Sequence, residues 1–290
     1  MNDTTETSSL KEFSLQFIHH KGALLGFIII AFFMLVALCA NLLAPYASDT
    51  IFQNAFRLPP FSEYTHNYFI LGTDDVGRDL LSRLIYGSRI SLGIGFFTVV
   101  LSLSIGGILG LAAGYFGGSI DSLIMRINDI IMALPSVLFA IVIISVLGPS
   151  LANTIIAVSV AELPHFMRLM RAQVMAEKNK NYVIISRTMG ASHLRQMFTT
   201  ILPNCLAPII VQSALGFSDA ILCAAALGFL GLGAEPPIPE WGTMLSDARP
   251  FIESSPILVT LPGLCIFITV LAFNIFGDGL RDTFDPKLKR

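Results

Sequence analysis

Charged residues almost vanish from this chain in several long stretches. The first apolar run, 22–44, contains no charged residue at all. Its length is close to the roughly 20 residues that cross hydrocarbon. It also exceeds the apolar core of about 7 to 15 residues in a cleaved secretory signal, so a retained span is expected. A second run lies at 90–120, and a third begins after Asp129 and continues to Ala161. The third is too long for one span, and Gly148-Pro149-Ser150 divides it with a turn signal. This predicts one span near 126–147 and another near 151–170. A fifth is expected from about 204 to 233 and a sixth from about 256 to 276. The runs are continuous, whereas barrel strands would give short alternating segments. Helices satisfy their backbone polar groups internally, so the pattern predicts an all-α, polytopic membrane protein with six transmembrane helices.

Composition agrees with lipid as the solvent. Charged residues make up 13% of the 290 residues and apolar ones 54%, with a mean hydropathy of +0.72. A soluble domain carries about a quarter charged residues. The net charge of -2 leaves no basic excess for nucleic acid. Cys39, Cys205, Cys223 and Cys265 all sit in apolar runs without metal-ligand spacing and read as small buried hydrophobes. Lys/Arg bias sets orientation. The 162–200 loop carries Arg168, Arg171, Lys178, Lys180, Arg187 and Arg195, and the tail carries Arg281, Lys287, Lys289 and Arg290. Glu235, Glu240, Asp247 and Glu253 dominate 234–255, while 45–89 is mixed. Both termini and the 162–200 loop are therefore expected in the cytoplasm.

One polar segment stands between two apolar stretches: "NYVIISRTMGASHLRQMFTTILPN", 181–204. Apolar residues fall at Tyr182, Ile185 and Met189, then at Leu194, Met197, Phe198 and Ile201, both at helical spacing. Gly190 can end one helix and Ser192 can cap the next, with Pro203 closing the segment. Two short amphipathic helices meeting at a bend are predicted. Such helices lie on lipid headgroups or dock on a cytoplasmic partner, and spacing alone supports both.

The segment resembles the cytoplasmic loop of ABC importer permeases, whose pattern is Glu-Ala-Ala, three residues, Gly, nine residues, Ile, one residue, Leu-Pro. Gly190, Leu202 and Pro203 are in register, while Ile184, Ile185 and Ser186 stand at Glu-Ala-Ala and Thr200 at Ile. "LGTDDVGRDLLSRLIYGSRISL" (71–92), "ALPSVLFAIVI", "AALGFLGLGAEPPIPEWGTMLSDAR" and "PGLCIFITVLAFNIFGDGLRDTFDPKLK" resemble the dipeptide, oligopeptide and nickel branch of that family. The resemblance covers nearly the whole chain and takes the form of the second (C) permease subunit of bacterial dipeptide transporters.

The resemblance implies the type I importer (MetI-like) permease fold in a bacterial inner membrane. It divides the chain into a cytoplasmic segment 1–21, a first span 22–44, a periplasmic loop 45–89, a five-helix core 90–276 and a cytoplasmic tail 277–290, with a coupling loop at about 176–203. It implies as partners a second homologous permease, two ATP-binding cassette subunits, a periplasmic substrate-binding protein and membrane lipid. It also implies transport of short peptides, dipeptides first, with nickel complexes, haem, glutathione and longer peptides handled by relatives. Arg187, Met189, Gly190, Ala191, Ser192, Arg195, Leu202 and Pro203 are the implied coupling residues. The chain has no Gly-x-x-x-x-Gly-Lys-Ser/Thr loop. The expectation is a permease without enzyme activity or bound cofactor, whose partners use ATP and Mg.

Other charged residues leave alternatives open. Asp74, Asp75, Arg78, Asp79 and Arg83 precede the second span. They fit a periplasmic contact, or helix entry with Thr73, Asp74 or Asp75 capping and Arg78 and Arg83 paired back to the acids and to headgroups. Trp241, the one tryptophan, suits an interfacial anchor. Asp219 lies inside the fifth apolar run, where an ionisable group marks a pathway or bonds to Ser213, Ser218 or Gln212. Glu162 and Ser218 are further pathway candidates, and Glu162, Pro164 and His165 fit a kink or gate near a helix end. An ion-driven secondary transporter would need repeated intramembrane charges in two related halves, and a membrane-embedded enzyme would need a paired catalytic set; neither pattern is present.

Overall fold

The computed structural model describes residues 20–284. The expected cytoplasmic segment up to residue 19 and the tail cations Lys287, Lys289 and Arg290 lie outside the described residues. Helix α1 (Lys21–Leu38) is followed by a single turn, α2 (Ala40–Leu43). A loop then carries a two-stranded antiparallel hairpin, β1 (Ser62–Tyr64) and β2 (Asn67–Phe69), which the hydrophobic pattern does not predict. Thr65 and His66 both adopt positive φ at its turn, as a two-residue hairpin turn requires.

Helix α3 (Leu80–Phe116) starts ten residues before the apolar run beginning at Ile90, so the signature charges enter its first turns. Helices α4 (Gly118–Met132) and α5 (Ser136–Leu147) form the third crossing and meet at a bend of 90°. Pro135 sits at that break, where it cannot donate to a continuing helix. Helix α6 (Leu151–Glu177) continues past the expected end at Met170. The short helices α7 (Asn181–Thr188) and α8 (His193–Arg195) follow. A π-helical stretch, Gln196–Ile201, leads without interruption into α9 (Leu202–Phe229). The second amphipathic helix is therefore not separate but the first turns of the fifth crossing. Pro203 falls where the π-helical stretch passes into α9, and its missing N–H leaves a carbonyl of the preceding turn without a helical donor. Helix α10 (Trp241–Ala248) and α11 (Ile257–Phe284) complete the chain.

Among the described residues, four continuous helices are long and apolar enough to cross a membrane: α1, α3, the His193–Phe229 run and α11, with the bent α4–α5 pair as a fifth. Helix α6, at 27 residues, is also long enough, but it carries Glu162, His165, Arg168, Arg171 and Glu177. Together they form the six expected crossings. One end of the bundle carries the 45–79 loop and is called the loop end; the opposite end carries 178–192 and is called the hook end.

Small residues set the closest contacts. A side chain at Gly106 or Gly114 would come within 2.7 Å of Leu163 O or 2.8 Å of Arg171 O. Gly110, between them, faces Met167 in the same way. This four-residue stripe lets α3 run parallel to α6 at backbone contact. Helices α6 and α9 run antiparallel, packed through Ala157, Val158, Ala161, Ala220, Cys223 and Ala224. Helix α1 leans on α11, with Gly26 against the Ala272 carbonyl. The Arg89 guanidinium of α3 donates to Ala37 O at 2.9 Å and Leu38 O at 3.3 Å, satisfying carbonyls that the end of α1 leaves free.

Candidate functional site

The hook is built on Gly190, whose φ of +84° favours glycine, and on Ser192, whose Oγ accepts from Arg195 N. A Cβ added at Gly190 would meet no atom of the described residues within 4 Å. Val183, Met197 and Ile201 point inward, into a cluster with Leu111, Met170 and Val174. Ile184, Ile185, Met189 and Leu194 face outward, with Met189 82% and Leu194 69% exposed. The expected apolar face of α7 through Ile185 and Met189 is thus uncovered by the described helices. Arg187 and Arg195 are exposed beside it, Ala191 and Leu202 are half-buried, and Pro203 is exposed.

Polar bonds tie this segment to the crossing helices. Lys178 Nζ donates to Gly114 O at 2.7 Å, joining the end of α6 to α3. Tyr115 Oη donates to Gln196 Oε1 and lies beside His193 Nδ1, both at 2.8 Å. Gln196 Nε2 donates to Ala191 O at 3.1 Å. Glu177 accepts from Lys180 Nζ and Tyr182 Oη, each at 2.6 Å. Partial burial, reinforced by this carboxylate, pushes the Tyr182 phenol up to about 12.

At the loop end the structure corrects three expectations. Asp74, Arg78, Asp79 and Arg83 do not offer a partner surface, because all four are buried. Asp74 accepts from Val76 N, Arg78 N and Arg78 Nε, and forms an ion pair with Arg83 at 3.4 Å. Asp79, rather than Thr73, Asp74 or Asp75, caps α3 by accepting from Ser82 N at 2.7 Å. Burial holds Asp79 above the ordinary carboxylate range, against the pull of Ser82, and burial with neighbouring Asp74 does the same to half-buried Asp75. Trp241 is no interfacial anchor either, since its exposure is 0%. Its Nε1 donates to Leu84 O at 3.2 Å, and a side chain at Gly87 would strike its ring. Glu240, unremarked as a site in the sequence, is also buried, and accepts from Gly242 N at 2.8 Å and Thr243 N at 2.7 Å.

Glu162 and Asp219 are the sequence neighbours of Ala161 and Ala220, which pack into one cluster at the α6–α9 interface, and Asp219 acts electrostatically on Glu162. Each lies about 15 Å from the loop end of its helix by the 1.5 Å rise, or half of a bilayer core about 30 Å thick. Glu162 is buried, whereas Asp219 and His165 are exposed on the surface of the subunit. Ser218 does not join them: it is fully buried and donates to Asn274 Oδ1 of α11 at 3.1 Å. Ser213 is likewise engaged elsewhere, donating to Ile209 O within α9.

Comparison with known proteins places this architecture. Residues 106–290 match the family described as "Binding-protein-dependent transport system inner membrane component". Residues 8–60 match the N-terminal TM domain of oligopeptide transport permease C. The di/tripeptide transport system permease protein DppC of Pseudomonas aeruginosa is 54% identical, covering 97% of this chain and 93% of that protein. The dipeptide transport system permease protein DppC of Escherichia coli K12 is 55% identical, covering 97% and 94%. Among solved structures, a chain of the inward-facing MetNI methionine ABC transporter aligns with a TM-score of 0.54 at 16% identity, over 70% of this chain and 97% of that one. The chain belongs to the binding-protein-dependent transport inner membrane component family and is a permease subunit of the ABC importers.

Proposed function

We propose that this chain is one of two permeases in an inner-membrane importer of short peptides, dipeptides first, and that the Met189–Ser192 turn is its coupling contact. The observation that carries the reading is the outward apolar face of Ile184, Ile185, Met189 and Leu194 on a segment bonded to α3 through Gln196 and to the end of α6 through Tyr182. An apolar surface held by fixed hydrogen bonds suits a protein socket. A helix floating on headgroups needs no such attachment. The socket belongs to an ATP-binding cassette subunit, with Arg187 and Arg195 flanking the contact and Leu202 and Pro203 leading from it into α9.

In this reading the hook end is cytoplasmic, in keeping with its lysines and arginines, and the loop end is external. ATP and Mg are bound by two cassette subunits, not by this chain. Substrate arrives from an external binding protein and passes between this subunit and a second permease. Exposed Asp219 and His165 favour that route, since ionisable groups within the membrane face water or protein and not lipid. When the cassettes close, the hook moves with α3 and α6 as one body, and the route opens at alternate ends.

Affinity capture from gently solubilised native membranes tests the assembly. Recovery of a second permease and cassette subunits is expected. Gly190→Asn tests the contact: asparagine tolerates the left-handed backbone, and its Cβ has open space among the described residues. The variant should fold normally and lose cassette subunits in the capture. Full retention of those subunits, with uptake of labelled dialanine unchanged, would remove the hook from this role.

A further inference from the structure

Glu162 is the least satisfied charged group in the spanning bundle. It is 3% exposed, and its Oε2 has no hydrogen-bond partner. A buried carboxylate without a partner is costly, and among the described residues no lysine or arginine forms an ion pair with it or with Asp219. Arg168, the nearest cation along α6 toward the hook end, is paired with Asp129. Pro164 adds to the local polarity, because its missing N–H leaves the Val160 carbonyl without its helical donor. Asp219 opens the site to the subunit's surface, and His165, one turn beyond Glu162 on α6, is within electrostatic range of it.

The chemistry selects a cation that donates several hydrogen bonds. No group of three or more His, Cys, Asp or Glu side chains suited to a metal ion occurs among the described residues. An ammonium group has three donors and a single charge. It can bond the unpartnered Glu162 oxygen and Asp219 together. Every dipeptide with a free N-terminus carries such a group, whatever its side chains.

We propose that Glu162 and Asp219, facing each other from α6 and α9 at mid-membrane depth, form the station that receives the peptide's α-ammonium group during passage. This rests on the peptide reading above. It assigns to the permease a recognition step for the one cationic feature common to all such substrates. Only Asp219 is reached directly from the route; Glu162 lies behind it and completes the site. The small residues Ala157, Ala161 and Ala220 pack the two helices against each other beside these carboxylates.

The test uses the complete importer with its partner chains in proteoliposomes, following radiolabelled dialanine and ATP hydrolysis together. Asp219→Asn and Glu162→Gln keep shape and remove charge. Each is expected to lower uptake about tenfold, the scale of one lost charged hydrogen bond, while binding-protein-stimulated ATP hydrolysis stays near the unmodified rate. Asp219→Glu, at an exposed position with room for the longer side chain, should restore uptake. Wild-type uptake in both neutral variants would overturn the station alone. So would equal loss in Asp219→Glu and Asp219→Asn, since shape and not charge would then be at work. Absence of dialanine uptake in the unmodified, ATP-hydrolysing complex would overturn the peptide reading itself, and the station with it.

Discussion

At the scale of single residues, Glu240 shows how a charge can be internal structure while looking like surface. It opens α10 by accepting backbone N–H groups on both carboxylate oxygens. Glu240→Gln keeps the size but turns an amide N–H₂ toward one of those donors. A loss of about 1 to 3 kcal/mol is expected, read from thermal unfolding of the purified protein. Burial holds the Glu240 carboxyl above its ordinary range, against the opposing Gly242 and Thr243 amides. The folded state therefore binds this proton more tightly than the unfolded state. The stabilisation is full below the ordinary carboxylate value and is lost as pH rises through the raised one. The melting temperature should fall with pH across that window, and fall less in Glu240→Gln. Asp74, Arg78 and Arg83 follow the same logic. The pairing of Arg78 and Arg83 back to the acids was legible in the sequence as one alternative and is met at Asp74, but the burial of the cluster depends on how the preceding loop folds back, which spacing does not encode.

At the scale of elements, the crossings were legible because hydrocarbon demands uninterrupted apolar length. Their limits were not. Helix α3 begins at Leu80 because Asp79 caps it there, and buried Arg83 and Ser82 are tolerated once the loop supplies partners. The third crossing bends at Pro135, a signal present in the sequence whose angle only packing determines. The hook turn was readable from Gly190, whereas the π-helical stretch after it leaves no mark, because apolar residues continue at nearly the same period. The α3–α6 stripe carries a prediction of its own. Gly110→Leu must force apart backbones that touch, so destabilisation of about 1 to 3 kcal/mol is expected. A melting temperature equal to wild type would show that the two helices are free to separate.

At the scale of the whole molecule, coupling depends on the hook and the bundle moving together. Tyr115→Phe combined with Lys178→Met removes the bonds from α3 to the hook and to the end of α6 while leaving the outward face of Met189 and Leu194 intact. Cassette subunits should still bind and hydrolyse ATP, but dipeptide uptake per ATP should fall severalfold, given about 0.5 to 1.5 kcal/mol for each bond lost. Unchanged stoichiometry would mean that backbone continuity alone carries the motion. The loop end offers a different opportunity. Trp241 is the chain's one tryptophan and lies wholly inside, wedged between α1, α3 and α10. Its emission is therefore a single-site optical signal, blue-shifted and shielded from aqueous quenchers while that junction stays shut. If α1 or α10 parts from α3 during a transport cycle, a red shift and new access to acrylamide will time the event without any attached dye.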